Sequence, residues 1–158
     1  MDARAKPDAG EDARSIVVTR LFDAPRELVF AAWCDPEHIS EWWGPYGFTT
    51  TISAFDFRPG GEWRFVMHGP DGTDYPNHVV YEEIVRPERV VYRRFDSDGN
   101  DAIHFRDTVT FEERDGGTLL TLRLNFATPE LRDRAAGMGA VEGGHQTLER
   151  LAAHLAAS

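Results

Sequence analysis

Residues 23–45 contain two helix starts in succession and close on an adjacent pair of tryptophans, Trp42 and Trp43. Asp23 and Asp35 each occupy an N-cap position. Each is followed by a proline, which the first helical turn tolerates, and by a glutamate, which the helix N-terminus favours. A Gly-Pro pair after Trp43 ends the second helix, because proline cannot continue it. Two helices this short cannot bury both indole rings alone, so the segment must lie over a larger element.

That larger element is predicted to be a curved antiparallel sheet. Ser15–Phe22 is rich in β-branched residues and roughly alternates between apolar and polar positions, as a half-buried strand does. Residues 48–126 repeat this pattern, with short turn signals between the segments. Connections this short join antiparallel neighbours, since parallel strands need a crossover of about a dozen residues or more. We expect about six to seven strands.

The C-terminal part of the chain predicts one long helix that covers the sheet. Thr128 is an N-cap, and apolar residues recur at helical spacing as far as Leu155, on a face that includes His145. Four glycines interrupt its first half: Gly137, Gly139, Gly143 and Gly144. Each costs about 0.5–1 kcal/mol relative to alanine. Three explanations stay open: a helix that begins near Met138, a flexible gate over a cavity mouth, or close packing against the sheet.

Together these patterns predict an α+β fold. The 158 residues correspond to about one domain and can bury a sizeable core without disulfides. Residues 1–14 are polar, charged and without periodicity, so we expect a disordered tail. Residues 15–158 are expected to form the domain.

Composition argues against several functional classes. The 27 acidic and 17 basic residues give a formal net charge of −10, which disfavours nucleic acid and anionic membrane surfaces as partners. No apolar run approaches the about 18 residues of a membrane span, and the N-terminus lacks the apolar stretch of a secretory signal. We therefore expect a cytoplasmic protein without integral membrane contact. The single cysteine, Cys34, forms no intramolecular disulfide.

No metal site or cofactor site is predicted. The six histidines lack the spacing of metal ligands and have no cysteine partners. The sequence contains neither the glycine-rich motifs that bind nucleotides nor the G-x-S-x-G of an activated serine. We expect no metal and no cofactor, and the sequence assigns no catalytic residue.

The predicted binding site is a cavity between the last helix and the bent sheet, where aromatic residues surround space that the helix cannot fill. The candidate apolar lining residues are Trp33, Trp42, Trp43, Phe48, Trp63, Phe65, Tyr75, Tyr81 and Met138. The polar candidates are His78, His104, Arg106, Glu142 and His145. For each candidate the alternative is an ordinary core or surface position. His104 and Arg106 share one strand face, and if that face points inward Arg106 needs a carboxylate such as Glu142.

Four segments resemble the family named for the activator of Hsp90 ATPase homologue 1, within the START-like or Bet v 1-like (SRPBCC) superfamily. They are residues 20–37 with the Trp42-Trp43-Gly44-Pro45 run, residues 56–63, residues 83–92 and residues 137–155. They occur in order over about residues 15–155. One departure is His145, where members often carry tryptophan or another bulky residue.

The resemblance implies a helix-grip fold, in which a bent antiparallel sheet wraps a long C-terminal helix and two short helices close one end. It also implies binding of lipids, hormones, polyketides or other apolar molecules between the sheet and that helix. Some relatives are cyclases, aromatases or hydrolases. The Hsp90 link in the family name belongs to larger eukaryotic proteins, and the present chain resembles the bacterial single-domain members.

Three functional hypotheses follow. The preferred one is a binding protein for a small hydrophobic or amphipathic molecule. The second is an enzyme of the cyclase, dehydratase or hydrolase type, which requires at least two of the titratable candidates, including Asp107, to meet around the cavity. The third is a stress- or chaperone-associated protein that acts through an exposed apolar patch around Trp42 and Trp43. A homodimer is a further hypothesis.

Overall fold

Seven strands and four helices form within residues 13–96 and 105–157, which are the residues that the computed structural model describes. The strands are β1 (Ser15–Phe22), β2 (Thr49–Phe55), β3 (Glu62–His68), β4 (Asp74–Val85), β5 (Arg89–Asp96), β6 (Phe105–Arg114) and β7 (Gly117–Phe126). The helices are α1 (Arg26–Ala31), α2 (Pro36–Trp42), α3 (Pro129–Gly137) and α4 (Ala140–Ala157). Residues 1–12 of the predicted tail lie outside the described residues.

All seven strands belong to one antiparallel sheet in the order β1-β7-β6-β5-β4-β3-β2. The predicted helix-grip arrangement is confirmed: a curved antiparallel sheet lies against a long C-terminal helix. The register shifts between Ile52 and Ala54 in β2 and between Tyr81 and Glu83 in β4. Such bulges bend a strand and increase its twist, so they add to the curvature of the sheet.

The two short helices form where the sequence indicates, but their starts differ. In α2 the Asp35 carboxylate accepts a hydrogen bond from the Glu37 amide at 2.9 Å, as predicted for an N-cap. In α1 the N-cap residue is Pro25, which has no side-chain cap hydrogen bond, so the prediction that Asp23 caps this helix is wrong. The N-cap of α1 therefore lies two residues later in the chain than the sequence pattern indicated.

The predicted single C-terminal helix is instead two helices. Thr128 caps α3 as expected, accepting from the Leu131 amide at 3.2 Å, but the chain leaves the helix at Met138 and Gly139. Gly139 has a φ of +91°, a left-handed conformation that glycine adopts without the steric penalty of a side chain. The break ends the first helix, and α4 begins at Ala140.

The buried face of α4 also differs from the predicted one. Thr147, Leu148 and Leu151 are buried, whereas His145 is exposed. The prediction that His145 lies on the apolar face is therefore wrong. Within α4, His145 lies about 60° around the helix from Leu148, on the side away from Thr147 and Leu151, so it falls at the edge of the buried face.

Arg150 of α4 ties the long helix to the end of α2. Its Nη1 donates to the carbonyl oxygens of Trp43 at 3.0 Å, Gly44 at 2.9 Å and Pro45 at 3.2 Å, and its Nη2 donates to that of Glu41 at 3.2 Å. Carbonyls after the last helical turn lack partners within the helix. One side chain therefore satisfies the end of α2 and fixes the backbone at the tryptophan pair.

Close packing explains one of the α4 glycines. A Cβ atom on Gly144 would lie 3.0 Å from Val18 Cγ2 of β1, whereas a Cβ on the neighbouring Gly143 would meet Pro45 Cγ at an ordinary 3.5 Å. The absence of a side chain at Gly144 therefore lets α4 approach the first strand closely. The predicted explanation of close packing applies at this position.

We expect Gly143→Ala to stabilise the protein and Gly144→Ala to lack that gain. Alanine in a helix interior is about 0.5–1 kcal/mol more favourable than glycine. At Gly144 the overlap with Val18 offsets this advantage, since a well-packed neighbour must shift. Chemical denaturation measures both free energies of unfolding. Equal stabilisation by the two substitutions would contradict the close approach.

Candidate functional site

A cavity of about 440 Å³ lies between the inner face of the sheet, the segment after α2, and the two C-terminal helices. Most of its lining is apolar. Its larger apolar lining residues are Trp43, Pro45, Phe48, Met67, Tyr75, Phe105, Leu122, Leu124, Phe126, Leu131 and Met138. The helix break at Met138 and Gly139 borders the cavity, and Met138 is 81% exposed, so this part of the wall faces solvent as well.

The structure places four of the predicted apolar lining residues at this cavity: Trp43, Phe48, Tyr75 and Met138. The remaining candidates lie in the buried core and do not border it. They are Trp33, Trp42, Trp63, Phe65 and Tyr81.

Edge-to-face and stacked contacts between the rings explain this division. The ring centroids of Trp33 and Trp42 lie 4.9 Å apart, those of Trp43 and Trp63 4.9 Å apart, and those of Trp63 and Phe65 4.1 Å apart. The Trp42 indole nitrogen also donates to the Ala32 carbonyl at 3.2 Å. These rings fill the volume beneath α1 and α2 with one another, so Trp43 at the edge of the cluster borders the open space.

Two of the predicted polar candidates lie on the outer face of the sheet. His78 Nε2 is 3.0 Å from Glu62 Oε1, and Arg106 Nε donates to Glu82 Oε1 at 2.7 Å. The suggestion that Arg106 points inward and pairs with Glu142 is therefore wrong. The register places Phe105 and its alternate neighbours inward, which turns Arg106 outward. His104 lies outside the described residues.

Glu142 and His145 border a different and more polar depression of about 210 Å³, together with Thr19, Arg20 and Tyr46. They therefore stand apart from the apolar cavity. The side of α4 that carries them borders Thr19 and Arg20 of β1, whereas Gly143, Gly144 and Thr147 of the same helix border the apolar cavity.

The charged pair beside the cavity was missed by sequence reasoning. Arg94 borders the cavity, and its Nη2 and Nε donate to the two Asp107 carboxylate oxygens at 3.0 and 3.4 Å. The Asp107 side chain is 0% exposed and that of Arg94 is 19% exposed. The guanidinium carbon lies 5.3 Å from the centroid of the Trp43 ring and 4.8 Å from that of Phe105. Aromatic rings thus hold the cation in place.

The strand alternation was the signal that could have found this pair. Val90, Tyr92 and Arg94 alternate along β5, and Asp107 alternates with Val109 along β6. Since Val90, Tyr92 and Val109 are buried, the same faces carry both charges inward. In the register of β5 against β6, Tyr92 lies opposite Asp107 and Arg94 lies opposite Phe105. Arg94 and Asp107 are therefore diagonal neighbours.

Burial controls the ionisation of this site. Loss of hydration raises the pKa of Asp107, and the attraction of Arg94 opposes that rise. Burial also raises the pKa of Tyr92, so its phenol stays protonated. Arg94 and Asp107 neutralise each other in a buried environment, so removal of either residue would leave the other as an uncompensated buried charge.

No group of three or more His, Cys, Asp or Glu side chains suited to a metal ion occurs within residues 13–96 and 105–157. In the same part of the chain, no helix has both the length and the apolar character needed to cross a bilayer.

We expect Arg94→Met to lower the free energy of unfolding by about 3–5 kcal/mol at pH 8, because it leaves a buried carboxylate without its counter-ion. The loss should shrink at pH 5. Since the pKa of folded Asp107 lies above its unfolded value, ionised Asp107 destabilises the folded state, and this penalty declines as the pH falls through the folded pKa. Urea denaturation at both pH values measures the difference.

Arg106→Met is the matched control, because it removes an exposed arginine from the other face of the sheet and should change stability by less than about 1 kcal/mol. The double substitution Arg94→Met with Asp107→Leu should recover most of the loss, since apolar residues can replace a buried pair. A pH-independent loss in Arg94→Met would show that Asp107 is not the source of the effect.

Comparison with solved structures shows the same fold in bacterial proteins. A protein from Arthrobacter aurescens matches with a TM-score of 0.85 and 28% identity over 93% of this chain and 88% of its own. One from Mycobacterium smegmatis gives 0.82 and 29% identity over 92% and 93%. One from Rhodobacter sphaeroides gives 0.81 and 26% identity over 92% and 94%. Comparison with curated proteins gives no match.

The family model described as "Activator of Hsp90 ATPase homolog 1-like protein" matches residues 23–156. This range includes both short helices, the sheet from β2 onward and nearly all of the C-terminal helices. The resemblance inferred from the four sequence segments is confirmed. The chain belongs to the family of activator of Hsp90 ATPase homolog 1-like proteins.

Proposed function

We propose that this protein binds a small hydrophobic or amphipathic molecule in the cavity between the sheet and the C-terminal helices. The observation that carries the proposal is the cavity itself, about 440 Å³ of largely apolar space beside an otherwise well-packed aromatic cluster. Ligand sites are typically apolar concavities with few polar groups, and here these include Arg94 with its partner Asp107, and Arg134.

The size of the cavity sets the expected affinity. Transfer of about 300 Å² of apolar surface from water gains about 7–8 kcal/mol at 25 cal/mol per Å². Lost translational and rotational freedom subtracts several kcal/mol from this gain. The gross gain alone corresponds to a dissociation constant of roughly 3 μM, so we expect simple probes to bind more weakly than this, and we take about 1 mM as the weakest affinity that supports the proposal.

The helix break supports a route into the cavity. No residue of α3 is buried, and its apolar residues Leu131, Ala135 and Ala136 are only partly buried, so its displacement would uncover less apolar surface than displacement of α4. Gly139 in its left-handed conformation lies at the point where α3 and α4 meet. A ligand could enter by movement of α3 about this point while α4 stays fixed on β1.

The two alternative hypotheses gain no support from a specific observation. His78, Glu142 and His145 do not meet at the cavity, and Asp107 is held behind Arg94. The surface hypothesis placed an exposed apolar patch at Trp42 and Trp43. That placement is wrong, because the two residues are 0% and 4% exposed.

Ala135→Trp should weaken binding of the uncharged fluorescent probe N-phenyl-1-naphthylamine at least tenfold. Ala135 borders the cavity from α3, and an indole at this position occupies volume that the probe needs. Titration by fluorescence, checked by calorimetry because the substitution adds a tryptophan, measures the change.

Asp133→Trp is the matched control. It adds the same ring two residues earlier on α3, where the side chain is 70% exposed, and should leave the affinity unchanged. If wild-type protein does not bind the probe below about 1 mM, the proposed function is overturned. Equal weakening by both substitutions would place the probe outside the cavity.

A further inference from the structure

We propose that the ligand is a monoanion, an apolar molecule with a single carboxylate that binds the free edge of the Arg94 guanidinium. This inference rests on the proposed binding function and specifies the ligand class for the same cavity. Its basis is the geometry of Arg94, the charges of the cavity wall and the position of Arg134.

The Arg94 guanidinium has one occupied edge and one open edge. Asp107 accepts from Nε and Nη2, which together form the side-on edge of the planar group. Nη1 makes no hydrogen bond to the described residues, and Arg94 borders the cavity. The end-on edge, formed by Nη1 and the second N–H of Nη2, is therefore left for a ligand oxygen.

The neighbouring rings restrict where that ligand oxygen can lie. Trp43 and Phe105 both contact the guanidinium at distances typical of cation–π pairs. The two rings lie against the guanidinium, and Asp107 occupies its side-on edge. A ligand oxygen can therefore approach in the plane of the guanidinium, toward its end-on edge. A carboxylate matches two parallel N–H donors in this arrangement, and Arg pairs with it bidentately.

The charges around the cavity favour one negative charge. Among the described residues that border the cavity, the charged ones are Arg94 and Arg134, and none is Asp or Glu, although the chain carries a net charge of −10. Asp107 neutralises Arg94 from behind. Arg134 has no ion-pair partner among the described residues, so one positive charge is uncompensated.

The charges of Arg94, Asp107 and Arg134 argue against ligands whose polar head is cationic, neutral or doubly negative. A cationic head would meet two arginines and no carboxylate on the wall. A neutral head would accept at most one strong hydrogen bond from the two N–H donors on the open edge of Arg94, and a dianion would bring an excess negative charge into an apolar place, which is unfavourable without a partner. A single carboxylate completes the balance, and the exposed Arg134 attracts it during entry.

The test compares decanoate, decan-1-ol and decyltrimethylammonium as competitors of N-phenyl-1-naphthylamine at pH 7.5, below the micellar concentrations of the two ions and below the solubility limit of the alcohol. We expect decanoate to bind at least tenfold more tightly than decan-1-ol, and the cation to bind more weakly than both. If Arg94 did not bind the carboxylate, decan-1-ol should bind more tightly than decanoate, because the neutral alcohol is more easily removed from water.

The variant for the test is the double substitution Arg94→Met with Asp107→Leu, which removes the pair without leaving a buried charge. It should lower decanoate affinity at least tenfold and leave decan-1-ol within about twofold. Its matched control is Arg106→Met with Glu82→Leu, which removes a pair on the outer face of the sheet and should alter neither affinity. Arg134→Gln should weaken decanoate binding severalfold and reduce its salt dependence.

Two results would count against the inference in distinguishable ways. If the probe and decan-1-ol bind but decanoate binds no more tightly, and the double variant leaves this order unchanged, the monoanion inference is overturned while the binding function stands. If the probe does not bind the wild-type protein at all, the proposed function fails and the inference fails with it.

Discussion

The close approach of α4 to β1 is the contact on which the rest of the structure depends. Gly144 lets the long helix lie directly against Val18, and Arg150 ties the same helix to the backbone after α2. The short α3 contacts β1 and β7 at the same edge of the sheet, and the cavity extends beyond it over inward residues of β3, β4, β5 and β6. The cavity is the space that this arrangement leaves open.

Packing of the aromatic residues decides where the open space ends. A chain with 18 aromatic residues could fill a cavity of this size, yet most of its tryptophans lie together under the two short helices. Trp43 is the member of that cluster that both packs against Trp63 and borders the cavity. The tryptophan pair therefore has two separate roles, because Trp42 is enclosed in the core.

The buried pair of Arg94 and Asp107 is hard to explain by stability alone. Replacing such a pair with apolar residues of similar volume is often neutral or stabilising, because both ions lose their hydration on burial. Places where a sequence departs from the simplest packing are frequently functional. The monoanion inference gives the pair a reason to lie at an apolar cavity: the carboxylate of Asp107 orients the guanidinium, and the open edge remains for a ligand.

The sequence by itself determined the order of elements, the antiparallel sheet, two of the helix caps and the family, because these depend on local propensity and on alternation along single segments. The tertiary structure alone decided which side chains meet. The phase of α4 against the sheet placed Thr147, Leu148 and Leu151 inward and left His145 at the exposed edge of that face. The register of β5 against β6 brought Arg94 to Asp107. A one-residue change in strand register or helix phase turns a side chain from core to solvent, and a single sequence does not fix that phase.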